Sequence, residues 1–201
     1  MDRGRLEAFS DGVLAIIITI MVLELRVPEG HRLQDLKGLG PVFLAYVLSF
    51  VYVGIYWNNH HHLLKATRTI NGAIMWANMG LLFCLSLFPF ATGWVGEWPR
   101  QQWPTFVYGL VLLSAGIAYY VLQTVIVRHA GGPDSALARA LGDDLKGRLS
   151  PVAYLLAMAL AFVAPLASEV LYVGVAATWL IPDRRLVRLA SADGPEPGDE
   201  S

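Results

Sequence analysis

Long apolar runs separated by short polar segments set the plan of this 201-residue chain. The first run lies within RLEAFSDGVLAIIITIMVLEL, Arg5 to Leu25. Its uncharged core extends only from Gly12 to Leu23, because Asp11 closes it at one side and Glu24 at the other. Those 12 residues cover about 18 Å as a helix, short of the roughly 30 Å hydrocarbon core of a bilayer. The pattern therefore predicts a helix set among longer ones, with its ends against protein or water. Uncharged runs from Gly38 to Leu64, Thr69 to Gly96 and Gln101 to Val127 are long enough to span. The last apolar region, Leu149 to Pro182, has 34 residues and would measure about 51 Å as one helix. It is expected to form two short spans, with Pro165 and the pair Ser168 and Glu169 supplying the break.

These runs predict six helices, over approximately 6–25, 39–63, 70–95, 103–127, 149–165 and 167–181, in one domain covering 1–189. Between them, Val27 to Gly38 reads as a loop, and Arg128 to Arg148 as a charged connector with some helical spacing. Residues 190–201, ASADGPEPGDES, have the composition of a disordered tail.

Composition strengthens the membrane reading. Hydrophobic residues make up 55% of the chain, charged residues 15%, and the mean hydropathy is +0.50, which together indicate an all-α integral membrane protein. A net charge of −1 offers no basic footprint for nucleic acid. Cys84, the single cysteine, lies inside an apolar run and cannot form an intramolecular disulfide. Glu7, Asp11 and the lack of a small-residue cleavage site argue against a signal peptide. With six spans and both termini cytoplasmic, eleven Lys and Arg fall inside and four outside: Arg26, Arg32, Lys37 and Arg100. That asymmetry follows the positive-inside rule and supports a multi-pass protein of the cell membrane. Trp94, Trp98 and Trp103 then form an outer belt, with Trp57 and Trp179 near the inner one.

Within the first helix, Gly12, Val13, Ile16, Thr19, Ile20 and Leu23 share one stripe about 100° wide, while Ser10 and Asp11 point away from it. On the residues alone this stripe suits helix packing as well as function. Asp11 must find partners, because an ionised group at membrane depth is costly. His60, His61 and His62 are consecutive, point in three directions on a helix and cannot converge on one metal ion; no metal is expected. His61 shares a face with Trp57 and is expected to donate to Asp11 or Ser10, and Asn71 and Asn78 suit hydrogen bonding between helices. No phosphate loop, H-E-x-x-H or G-x-S-x-G motif is present, so an enzyme is not indicated.

Arg5, Phe9, Ser10 and Asp11 match an R-x-x-x-F-S-D signature, and YWNNHH and Asn78 to Phe90 extend the likeness. In these features the chain resembles the transmembrane protein 175 potassium channels. The resemblance implies a K⁺-preferring cation leak channel without a T-V-G-Y-G filter or any cofactor. It further implies a homotetramer in the bilayer whose first helices line the pore. Matched by position, Ile16 is the aliphatic constriction, followed by Thr19, Ile20 and Leu23 towards the outside. Arg5, Phe9, Ser10, Asp11, Trp57 and His61 form the network expected to hold that helix in register. Independently of the resemblance, Glu24 is suited to concentrating cations at the outer mouth. The alternative is a proton- or cation-coupled secondary transporter using Asp11 and His61 as a relay.

Overall fold

The computed structural model describes residues 2–67, 69–141 and 145–180, and within them the regular structure is helical, with no strand. Helix α1 covers Arg3–Leu23, and a 3₁₀ segment, Leu33–Leu39, leads into α2, Gly40–Lys65. They are followed by α3 (Gly72–Ser86), α4 (Phe88–Glu97), α5 (Gln102–His129), the short α6 (Ala136–Leu141), α7 (Leu145–Leu160) and α8 (Pro165–Leu180). Among the described residues four segments are long and apolar enough to cross a membrane: Arg3–Leu23, Leu33–Lys65, Gly72–Glu97 and Gln102–His129. The tail at 190–201 lies outside the described residues.

Local chemistry sets the boundaries. The Asn71 side chain caps α3, accepting from the Ile74 backbone N–H at 2.9 Å. The run expected as one helix over 70–95 is interrupted at Leu87, where α3 gives way to α4. Pro89 is the physical cause: it has no N–H for the preceding turn, and its ring clashes with the carbonyl four residues back. Near the C-terminus the break falls at 161–164, with Pro165 opening α8, a first-turn position that proline suits. Ser168 and Glu169 do not break the chain as expected but lie within α8. Glu169 is drawn to the start of α5, accepting from the Arg100 backbone N–H at 3.0 Å.

Helix α1 is 21 residues long, or about 31 Å. It exceeds its uncharged core because Glu7 and Asp11 continue the helix, each with a partner on α2. It packs against α2, α3 and α4, while α5 joins α3 to α7. Arg3, Lys65, Asn71, His129 and Trp179 mark one end of the bundle, called here the N-terminal end. Leu23, Gly40, Glu97 and Gln102 mark the distal end.

The core is apolar but threaded by hydroxyls. Thr92 donates to Ser49 at 2.7 Å, and Ser49 is 3.0 Å from the Tyr108 hydroxyl. Tyr52 donates to the Tyr172 carbonyl at 2.6 Å, and Tyr172 donates to that of Thr105 at 3.1 Å. These bonds satisfy buried polar groups that would otherwise be costly. Close approach is possible where glycine faces a neighbour. A Cβ on Gly96 would stand 2.9 Å from the Val42 backbone, and one on Gly109 only 2.0 Å from the Tyr172 hydroxyl.

Candidate permeation surface and its anchoring network

Two opposite faces of α1 do different things. Leu6, Ser10, Leu14, Ile17 and Met21 are buried in the subunit. Ile16 is 60% exposed, Ile20 43% and Leu23 76%, and Gly12, Ala15 and Thr19 are exposed beside them. Val13, expected on this stripe, is half-buried and packs against the core. The open face is thus displaced from the predicted stripe, losing Val13 and gaining Ala15 and Val22. It carries no charge between Gly12 and Leu23. The Thr19 hydroxyl donates to the Ala15 carbonyl at 2.7 Å, which leaves its oxygen lone pairs turned outward as acceptors.

The buried face is tied down by a chain of polar contacts. His60 Nε2 donates to Asn78 Oδ1 at 2.6 Å, Asn78 Nδ2 donates to Ser10 Oγ at 3.0 Å, and Ser10 Oγ donates to the Leu6 carbonyl at 2.8 Å. All three side chains are buried. One asparagine therefore links α2 and α3 to α1, using its carbonyl for one helix and its amino group for another. Replacing Asn78 with Leu leaves His60 and Ser10 buried without these partners. We expect a loss of roughly 1–2 kcal/mol, between the usual cost of orphaning a buried group and the smaller values measured within membranes. Reversible unfolding in detergent checks this, and unchanged stability would contradict the bridge.

Two further contacts flank this polar chain, Glu7 with His61 towards the N-terminal end and Asp11 with Trp57 on the distal side. Trp57 Nε1 donates to Asp11 Oδ1 at 3.0 Å, and His61 Nδ1 lies 2.6 Å from Glu7 Oε1. The His61 ring stacks on Trp57, with centroids 6.1 Å apart and planes inclined by 21°. His61 thus takes Glu7 as its partner, not the expected Asp11 or Ser10. The reason is spacing: His61 and Trp57 are four apart on α2, Glu7 and Asp11 four apart on α1, so the antiparallel helices pair them rung by rung. No hydrogen bond joins Asp11 to His61 among the described residues. Arg5 is exposed and bonds to neither Ser10 nor Asp11 among them. Arg3 instead reaches α2, donating to the Lys65 carbonyl at 3.1 Å. Phe9 is 49% exposed on the surface of α1.

Sequence reasoning missed Glu7 as a partner and passed over His60 as the buried histidine. The first was detectable from its i, i+4 relation to Asp11; the second depends on how α2 is rotated. Asn71, expected to join helices like Asn78, caps α3 and has its amide nitrogen 3.1 Å from His129 Nδ1. Trp179 Nε1 donates to Ser150 at 2.9 Å.

At the distal end, Glu24 caps α1 and is exposed. Partial desolvation of the carboxyl by the neighbouring chain first, and then the charge of Glu97, raise it above the ordinary range. Glu97 itself pairs with Arg26. Among the described residues no three His, Cys, Asp or Glu side chains come together as metal ligands.

A family model described as endosomal/lysosomal potassium channel TMEM175 matches residues 5–89, which include the anchoring network and all of α1 beyond Gly4. A potassium channel of a Chryseobacterium species is 52% identical over 186 residues, covering 92% of this chain and 96% of the relative. A potassium channel of Streptomyces collinus is 33% identical, covering 82% of this chain and 85% of its own. The crystal structure of a lysosomal potassium-selective channel TMEM175 homologue from Chamaesiphon minutus superposes with a TM-score of 0.76 at 30% identity, covering 91% of this chain and 97% of that one. Family and relatives are ion channels, not enzymes, and the apolar helices make this a multi-pass membrane protein. The chain belongs to the TMEM175 potassium channel family.

Proposed function

We propose that the protein is a K⁺-preferring cation leak channel in which four copies surround an axis lined by α1. Ile16 forms the narrowest ring, Thr19, Ile20 and Leu23 continue the wall, and six spans place both termini in the cytoplasm of a cell-membrane protein. The observation that carries this reading is the division of α1: one uncharged face around Ile16 left open by the subunit, the other anchored through Ser10, Asp11 and Glu7 to α2 and α3. Copies arranged about an axis would cover that open face and leave a file of aliphatic and hydroxyl groups along it. A ring of four Ile16 side chains would repel water and block ions while narrow. Four Thr19 oxygens would supply neutral acceptors that replace part of an ion's hydration.

The test is reconstitution of the purified protein in planar bilayers. Stepwise currents that reverse near the K⁺ equilibrium potential are expected; turnover too slow to resolve as steps would favour a transporter, and absence of current would remove the proposal.

Glu24 would hold negative charge at the distal mouth of this pathway. Because its carboxyl is raised above the ordinary value, acidifying the distal solution neutralises it before an ordinary exposed carboxylate. Conductance at low ionic strength is expected to fall as pH drops towards that range, and Glu24→Gln to lower conductance while removing this part of the pH response. In about 1 M salt, where the Debye length is roughly 3 Å, both effects should nearly vanish. The stability sign is opposite: a raised carboxyl in the folded state makes its contribution at low pH and loses it as pH rises through the folded value.

A further inference from the structure

Four charged side chains lie between Arg3 and Gly12 of α1, and α2 claims three of them: Arg3 donates to the Lys65 carbonyl, Glu7 lies against His61, and Asp11 accepts from Trp57. Arg5 is the exception. It is exposed and has neither a hydrogen bond nor an ion pair among the described residues. Asp2, at the helix cap, keeps its carboxylate beside Gly4 and does not pair with Arg5. The cause is rotational. At 100° per residue Arg5 comes within about 20° of Ile16 and into line with Leu23, so it belongs to the open stripe and not to the buried face of Leu6, Ser10 and Leu14. It stands about 16 Å before Ile16 along the helix, and Phe9 and Gly12, between them on the stripe, bring no carboxylate to offset it. The amino end of α1 adds partial positive charge of the same sign.

We propose that Arg5 gives conduction a preferred direction: four copies around the axis form a ring of positive charge at the N-terminal mouth, deplete K⁺ there, and reduce the current carried by ions entering from that side. The proposal rests on the α1-lined pathway proposed above and adds a polarity to it. Ions entering from the distal side reach the Ile16 ring without first crossing the charge. At large voltages entry limits the current, so the loss falls on one direction only. The ring lies outside the constriction and leaves the choice between K⁺ and Na⁺ to Ile16.

The experiment records single channels of the full-length protein in symmetric KCl of about 0.1 M, where the Debye length is about 10 Å, and of about 1 M, where it is roughly 3 Å. In the dilute solution the unaltered protein should pass about threefold less current in one direction than in the other. At high salt the two should be nearly equal. Arg5→Gln should abolish the asymmetry and Arg5→Lys should keep it. Arg5→Cys, in a Cys84→Ala background, separates charge from any structural role of the guanidinium. A thiol reagent bearing a trimethylammonium group, added to one chamber, should lower the current entering from that chamber; one of similar size bearing a sulfonate should raise it. Symmetric currents in the unaltered protein in the dilute solution, asymmetry that survives Arg5→Gln, or equal block by both reagents would overturn the inference and leave the pathway standing. Absence of current in every form would overturn both.

Discussion

Ile16→Asn is expected to raise unitary conductance on the order of tenfold and to lower the preference for K⁺ over Na⁺. In the proposed assembly Ile16 is the narrowest apolar ring, and its barrier comes from stripping water from an ion where no side chain replaces it. Four amides would hydrate the constriction and offer carbonyl oxygens to either ion. A tenfold change corresponds to only about 1.4 kcal/mol of barrier, modest against the cost of desolvating a cation. The fold should tolerate the change, because Ile16 is 60% exposed in the subunit and is not among the residues of its hydrophobic core. Single-channel recording with K⁺ on one side and Na⁺ on the other measures both quantities at once. Unchanged conductance with unchanged reversal potential would mean that Ile16 does not face the ions.

Gly109→Ala should cost about 3 kcal/mol, the upper part of the range for overpacking a filled core. The added methyl would stand 2.0 Å from the Tyr172 hydroxyl and 2.8 Å from Met158 Cγ. Tyr172 cannot readily withdraw. Its hydroxyl donates to the Thr105 carbonyl, its carbonyl accepts from Tyr52, and its ring packs against Tyr108 and Tyr154. A shift would therefore disturb α2, α5, α7 and α8 together. The measurement is thermal unfolding of the purified protein in detergent. A second substitution, Tyr172→Phe, removes the hydroxyl that clashes and should recover part of the loss in the double variant, a coupling that a general defect at Gly109 would not show.

Much of this architecture was legible in the sequence because membrane helices announce themselves by length and hydropathy. The three long apolar runs that begin near Gly38, Thr69 and Gln101 were found that way, and α1 as a shorter helix among them, with ends displaced by a few residues. The interruption at Leu87 was less visible: Pro89 was in view, but whether a proline kinks a span or divides it depends on the packing around it. The same limit applied to Ser168 and Glu169, polar residues read as a break and found inside α8 because Glu169 meets the start of α5. At the candidate site, helical periodicity correctly separated Ser10 from Ile16, since both positions obey the same 100° rule. It could not choose between His60 and His61, which differ by one residue and by which neighbour α2 turns towards. Asn78 was conspicuous as a lone amide in an apolar run, but its two partners lie on two other helices, at separations of 18 and 68 residues. The pore role proposed for the exposed stripe was not legible from physics alone; an aliphatic face of α1 is equally suited to packing, and the choice between them rests on family membership.

The most direct test is metal block of cysteine variants along α1, made in a Cys84→Ala background so that no other thiol competes. Cd²⁺ is held tightly only where several thiolates converge. If the open face of α1 surrounds the ion path, Ile16→Cys and Ile20→Cys channels will be blocked by micromolar Cd²⁺, while Ile17→Cys, buried in the subunit, will not. Block at Ile17 with none at Ile16 and Ile20 would place the opposite face on the axis and contradict the account.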